Sequence, residues 1–178
     1  MTELGNGVSV SIMNSGGYTA EGPRIYNSDV PGVDPDLEAR VGGVLIIQQA
    51  QGTAPNDWEA GGDIKFEFAV PVFFRSITLL DTQVAAEIST SLNGVDNFLS
   101  AGPELNNRQT GEVVGNVGNV DFLQARLFES GAIVRLDICV PFCVNDSEGV
   151  DSGCSEEQPF CADDSGDLVG PGEPGTMC

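Results

Sequence analysis

Asp63-Ile64-Lys65-Phe66-Glu67-Phe68-Ala69-Val70 alternates apolar and polar side chains along its length. Ile64, Phe66, Phe68 and Val70 fall on one side of an extended chain, and Asp63, Lys65 and Glu67 on the other. That is the period of a strand with one wet face. Pro71 follows and, lacking an N–H, is read as the end of the strand. Phe73–Leu80 reads as the next strand. Ala86–Leu92 reads as another, followed by the turn dipeptide Asn93-Gly94.

Upstream, Gly7–Met13 alternates in the same way before the Asn14-Ser15-Gly16-Gly17 turn. Val44-Leu45-Ile46-Ile47 is a continuous apolar run, the pattern of a strand covered on both faces. Val120–Phe128 and Ala132–Ile138 complete the set. Short strands cut by Gly, Pro, Asn and Asp, with no long 3.6-residue stripe, predict an all-β fold: an antiparallel β-sandwich of jelly-roll or immunoglobulin-like form. The competing reading is an α+β fold with Phe98–Leu105 or Val120–Phe128 helical. Phe66, Phe68, Phe73, Phe74, Phe122 and Phe128 are assigned to the core.

Charge excludes whole classes of function. The 178 residues hold 27 Asp and Glu against 7 Lys and Arg, a formal charge of −20, with no histidine. A nucleic-acid binder needs cations against phosphate, so nucleic acid is not a partner. Anionic lipid surfaces are disfavoured in the same way, and no apolar window is long enough for membrane insertion. Histidine-based triads and metal sites are impossible. A 40% hydrophobic content supports a real core in residues 1–138, which form the sandwich domain.

Residues 139–178 differ. All five cysteines, Cys139, Cys143, Cys154, Cys161 and Cys178, fall there among Gly, Pro, Ser and Asp. A dense cysteine segment of this kind fits a disulfide framework formed in an oxidising compartment. The start, Met1-Thr2-Glu3-Leu4-Gly5, has neither the basic nor the apolar region of a secretory signal. Met1 is therefore expected to be an expression start or an internal position of a longer precursor.

Arg24–Leu37, Gly43–Gln49, Gly61–Phe68 and Ser76–Asp81, in that order, resemble a β-sandwich domain that recurs in large secreted and surface proteins of diatoms, related algae and marine bacteria. The likeness covers roughly residues 20–82 and extends to 120–139. It implies an extracellular or cell-covering protein and no enzymatic activity. The chain departs from that pattern at Asn27, where an Asp is usual, and at Asn56-Asp57-Trp58 in the acidic loop. The segment from Cys143 through Cys154 and Cys161 to Cys178 resembles one unit of an extracellular cysteine-rich repeat. This implies an array that continues past this chain.

Calcium is the expected cofactor, if any. Asp34-x-Asp36 places two hard carboxylates in one turn, and Asn27, Asp29 and Asp57 lie in neighbouring loops. The plainer reading is a solvated acidic loop chosen for turn geometry. Trp58, beside two polar residues, is the candidate sugar-stacking platform against a core or anchoring role. Asn145-Asp146-Ser147 is a glycosylation acceptor pattern.

With 27 acids no carboxylate pair is informative, and the cysteines sit in a disulfide-like framework, so no enzyme is expected. The leading functional expectation is a structural or interaction module of an extracellular filament, hair, sheath or cell wall. Its partners would be other copies of itself or other matrix and surface proteins. The alternative is a calcium-assisted carbohydrate-binding or adhesion module with polysaccharide as partner.

Overall fold

The computed structural model describes residues 2–5, 8–14, 24–30, 34–49, 56–140, 161–162 and 168–169. Their strands, in chain order, are β1 (Thr2–Gly5), β2 (Val8–Asn14), β3 (Arg24–Asn27), β4 (Gly43–Ile46), β5 (Gly62–Leu80), β6 (Glu87–Leu92), β7 (Val95–Ala101), β8 (Thr110–Leu127) and β9 (Ala132–Cys139), then the short pair β10 (Cys161–Ala162) and β11 (Leu168–Val169). A single turn of 3-10 helix at Pro35–Leu37 is the one helical element among the described residues. All pairings are antiparallel. The expected antiparallel β-sandwich holds and the helical alternative does not. Phe98–Ala101 belongs to β7 and Val120–Leu127 to β8.

Two long strands connect the layers. The first half of β5, paired with β2, and the second half of β8, paired with β6 and then β7, make one layer. The second half of β5, the first half of β8, β9, β4 and β3 make the other. Pro71 therefore does not end a strand. Between Glu67 and Val72 the β5–β8 register shifts, so Pro71 lies where the ladder to β8 is interrupted. There a missing N–H costs nothing. Opposite, β8 reads Gly115-Asn116-Val117-Gly118-Asn119-Val120, and both Asn residues adopt left-handed backbone, φ 52° and 56°. Asn tolerates that region better than most residues. The register slips at these positions, as in a pair of β-bulges, and bulges bend a strand.

Alternation fixes the faces. Along the first layer, Val10, Phe66, Leu123 and Thr90 are aligned across four strands, and Ile12, Ile64, Ala125 and Ile88 form the adjacent inward row. These rows join Phe74, Ile77, Leu79, Val113 and Ile133 in the main core. Val44 and Ile46 pack on the opposite side with Tyr26, Leu37 and Leu80, while Leu45 and Ile47 face the main core. Val44–Ile47 is thus covered on both faces, as its unbroken apolar run predicts. Of the six phenylalanines assigned to the core, Phe66, Phe68 and Phe74 are buried, Phe73 and Phe122 are half-buried, and Phe128 is exposed. Phe122 stands on the outer face because Glu67, its cross-strand neighbour, does. Cys139 closes β9, buried and disulfide-bonded. Cys143, Cys154, Cys178 and Asn145 lie outside the described residues, as does the side chain of Cys161.

The bend has one intolerant point. A methyl group on Gly115 would overlap the ring of fully buried Phe74, whereas one on Gly118 would meet Phe73 at 3.6 Å, an ordinary contact. Gly115→Ala is expected to lower the urea-unfolding free energy by about 1–3 kcal/mol, the usual cost of overpacking. Gly118→Ala should fall within about 0.5 kcal/mol of the parent.

Candidate functional site

Three buried carboxylates gather where the 3-10 turn, the segment after β4 and the β5 and β9 termini meet. Asp34 caps the 3-10 turn, its Oδ1 accepting from the Asp36 amide at 3.2 Å. Its Oδ2 accepts from the Asp57 amide at 3.4 Å, and its carbonyl accepts the Tyr26 hydroxyl at 3.0 Å. Asp57 is placed by a backbone bridge to Gln48, just beyond β4. Its Oδ2 accepts from the Gly131 amide at 2.6 Å. Gly131, at φ 149°, lies against Thr82 and the Leu80 and Asp81 carbonyls, where a side chain would crowd them. Asp81 follows β5 with left-handed backbone, φ 58°, and is fully buried; Gln83 and Ser130 lie beside its carboxylate, but neither oxygen has a partner in good hydrogen-bond geometry. Such a group bears an uncompensated desolvation penalty.

The electrostatics follow from that burial. Asp57 is pushed up to about 8 by desolvation, reinforced by its hydrogen bond to Asp34 and the charge of that residue, against a smaller opposing pull from the Gly131 amide. Burial and its acidic neighbour thus both favour the protonated form of Asp57. Asp81 is raised to about 6, first by burial and then by the charges of Asp36 and Asp34.

Sequence reasoning placed five residues in a metal set, and the structure divides them. Asp34 and Asp57 come together. Asp36 borders them, its Oδ1 accepting from Asn107 Nδ2 at 2.6 Å. Asn27 and Asp29 serve their own turn: Asn27 Oδ1 accepts from the Asp29 amide and Asp29 Oδ1 from the Gly42 amide, both at 3.0 Å. Among the described residues no three His, Cys, Asp or Glu side chains stand as a group able to hold one metal ion. Asp81 was missed as a member of the cluster. Its only signal was an acid placed directly after the apolar strand end Leu79-Leu80. Trp58 is half-buried against the main core, in an anchoring position.

A second feature lies on the outer face of the first layer. Lys65, Glu67, Phe68, Ser91, Asp96, Asp121, Phe122 and Gln124 line an open groove of about 520 Å³. Cross-strand register builds it. Glu67, Phe122, Ser91 and Asp96 are successive neighbours on β5, β8, β6 and β7, with Lys65 and Gln124 paired in the next outward row. The Lys65 ammonium rests over the Phe122 ring, 5.9 Å from its centroid. Asp121 secures the groove's end, accepting from the Ser91 hydroxyl at 3.1 Å and the Asn93 amide at 2.6 Å. Asn93 and Gly94 have φ 52° and 75°, the two left-handed residues of a type I′ hairpin turn. No sequence signal marked this groove, because outward polar residues on a strand look alike until register pairs them.

No family model matches the chain, and no curated protein is significantly similar to it. Among solved structures, it is similar to CpGH89CBM32-6 produced by Clostridium perfringens, at 10% identity over 76% of this chain and 94% of that one, with a TM-score of 0.40. It is also similar to the family 32 CBM from C. perfringens NanJ in complex with galactose, at 11% identity over 73% and 98%, TM-score 0.42. A third is the F5/8 type C domain of a Bacteroides fragilis protein, at 10% identity over 74% and 89%, TM-score 0.40.

The acid cluster sets a pH dependence. An aspartate ordinarily titrates near 3.8, whereas Asp57 and Asp81 titrate near 8 and near 6 in the folded chain. Between about pH 4 and pH 8 the folded chain therefore holds more protons than the unfolded one, and stability falls as pH rises through that window. With chelator present, the melting temperature is expected to drop by about 5 °C or more from pH 5 to pH 8. Asp57→Asn should remove most of that slope, and equal slopes in the two proteins would refute the assignment.

Proposed function

We propose that the domain is a non-catalytic carbohydrate-binding module of an extracellular protein, with the saccharide lying along the outer-face groove. The observation that supports this reading is the groove's composition. An aromatic ring, an amide, an ammonium and carboxylates sit on one rigid sheet surface, positioned by cross-strand pairing. Binding sites combine such an apolar platform with a few directed polar groups. A net charge of −20 favours neutral or cationic saccharides over uronates and sulfated chains. The sugar platform moves from Trp58, which anchors the core, to Phe122.

A hydrolytic reading has no support in the acid cluster. Asp57 and Asp81 have the raised values a general acid needs, but they are 5% and 0% exposed, out of reach of a substrate. Among the described residues no helix is long and apolar enough to cross a membrane. The filament-forming role, which would join the sandwich as a bead to a cysteine-rich extension, stays an expectation; of that extension, residues 139–178, only Cys139, Val140 and the β10–β11 pair are described.

Calcium belongs to the proposal as a stabiliser of the acid cluster. Asp81 offers carboxylate oxygens without a partner in good hydrogen-bond geometry, hard ligands of the kind calcium takes, and an ion there requires Asp34 and Asp57 to leave positions in which the three form no metal-holding group. Roughly millimolar calcium, the range of extracellular sites, is expected to raise the melting temperature at pH 8 by a few degrees. Asp81→Asn should cancel the rise, and no change in the parent protein removes calcium from the proposal.

The groove is tested on an array of neutral, amino and acidic oligosaccharides. Retention of at least one class is expected, weakened about tenfold by Phe122→Ala with the fold intact by circular dichroism. A protein that retains none of them, or a variant that binds as the parent does, overturns the reading.

A further inference from the structure

The groove shows which saccharide it is built for, an inference that rests on the carbohydrate-binding reading. Four of its lining groups are charged: Glu67, Asp96, Asp121 and Lys65. Asp121 is occupied by Ser91 and Asn93. Glu67 and Asp96 make no hydrogen bond or ion pair with any described residue. They stand at the two ends of the row Glu67–Phe122–Ser91–Asp96. Three strand spacings separate them, roughly 14 Å, room for a short run of pyranose rings.

Lys65 is the only lysine in the chain. Its ammonium forms no ion pair among the described residues, though Glu67 is two residues away on the same outward face. It lies instead over the Phe122 ring. An ammonium held on an aromatic face between acidic walls marks the place as favourable for a cation. A side chain on a flexible four-carbon stem can leave that place to a competitor.

We propose that the groove selects amine-bearing saccharides: one free ammonium displaces Lys65 from the face of Phe122 beside the Glu67 carboxylate, and a second, further along the chain of sugars, meets Asp96 at the other end of the row. A neutral hydroxyl or an acetamide at the same position gains neither the ring quadrupole nor the carboxylates. A uronate meets the Glu67 and Asp96 carboxylates against the single Lys65 ammonium.

Calorimetric titration of the full chain at pH 5.5 with four probes tests this: a glucosamine tetramer, an N-acetylglucosamine tetramer, a galacturonate tetramer and tetralysine. The glucosamine tetramer is expected to bind most tightly. Replacing Lys65→Met, which removes the resident cation, should tighten its binding about two- to fivefold, the range of an exposed cation–π contact. The double variant Glu67→Gln, Asp96→Asn should weaken it about three- to tenfold, and leave any binding of the acetylated tetramer unchanged. Both substitutions fall on outward positions and leave the core intact. If the acetylated tetramer binds more tightly, or Lys65→Met weakens the glucosamine tetramer, the inference is overturned while the carbohydrate-binding reading survives. If tetralysine binds as tightly as the glucosamine tetramer, the site reads charge alone and the inference falls. If no saccharide binds, both fall.

Discussion

The continuity of β5 and β8 through a shared bend is the constraint on which the rest of the fold depends. Two strands of 19 and 18 residues pass together from one layer to the other. Their ladder must loosen at one level without separating. Pro71 on one strand and the twice-repeated Gly-Asn-Val triplet on the other meet that need in different ways. One lacks a donor where the pairing is interrupted, and the other admits left-handed backbone and a side-chain-free approach to Phe74. With the layers joined through these strands, the inward rows of one face those of the other, and the main core follows, with the smaller Tyr26–Leu37–Val44 cluster behind β4.

Strand identity and the double cover of Val44–Ile47 were legible because side-chain period and apolar continuity are local properties. The Asn93-Gly94 hairpin was legible for the same reason, since its two left-handed residues are a requirement of the turn itself. Strand extent was not. Pro71 reads as an end to any local rule, and only the interrupted ladder beside it shows why the strand continues. The outward station of Phe122 was hidden for a related reason, because an aromatic on a strand reads as core until its register partner is known. Asp34 and Asp57 were picked out as acids in loops. Asp81 joined them only through the meeting of the β5 and β9 termini.

The two candidate features use acidic residues in opposite ways. In the buried cluster, desolvation and the neighbouring carboxylates act together, and both favour the protonated form of Asp57. On the outer face, Glu67 and Asp96 stand exposed and remain available to a ligand. One composition thus yields an interior that resists ionisation and an exterior that depends on it, and burial decides between them.

The position of β7 at the end of the strand order has a practical consequence for handling the molecule. Its outer backbone pairs with no other described strand, and Val95 and Phe98, both largely exposed, lie on either side of Asp96 along it. Edges of this kind recruit further chains unless a charge repels them. Acidification, which favours the folded chain, also lowers the net charge that holds copies apart. The conditions that best preserve the fold are therefore those in which concentrated solutions are most prone to clump, and storage has to trade one against the other.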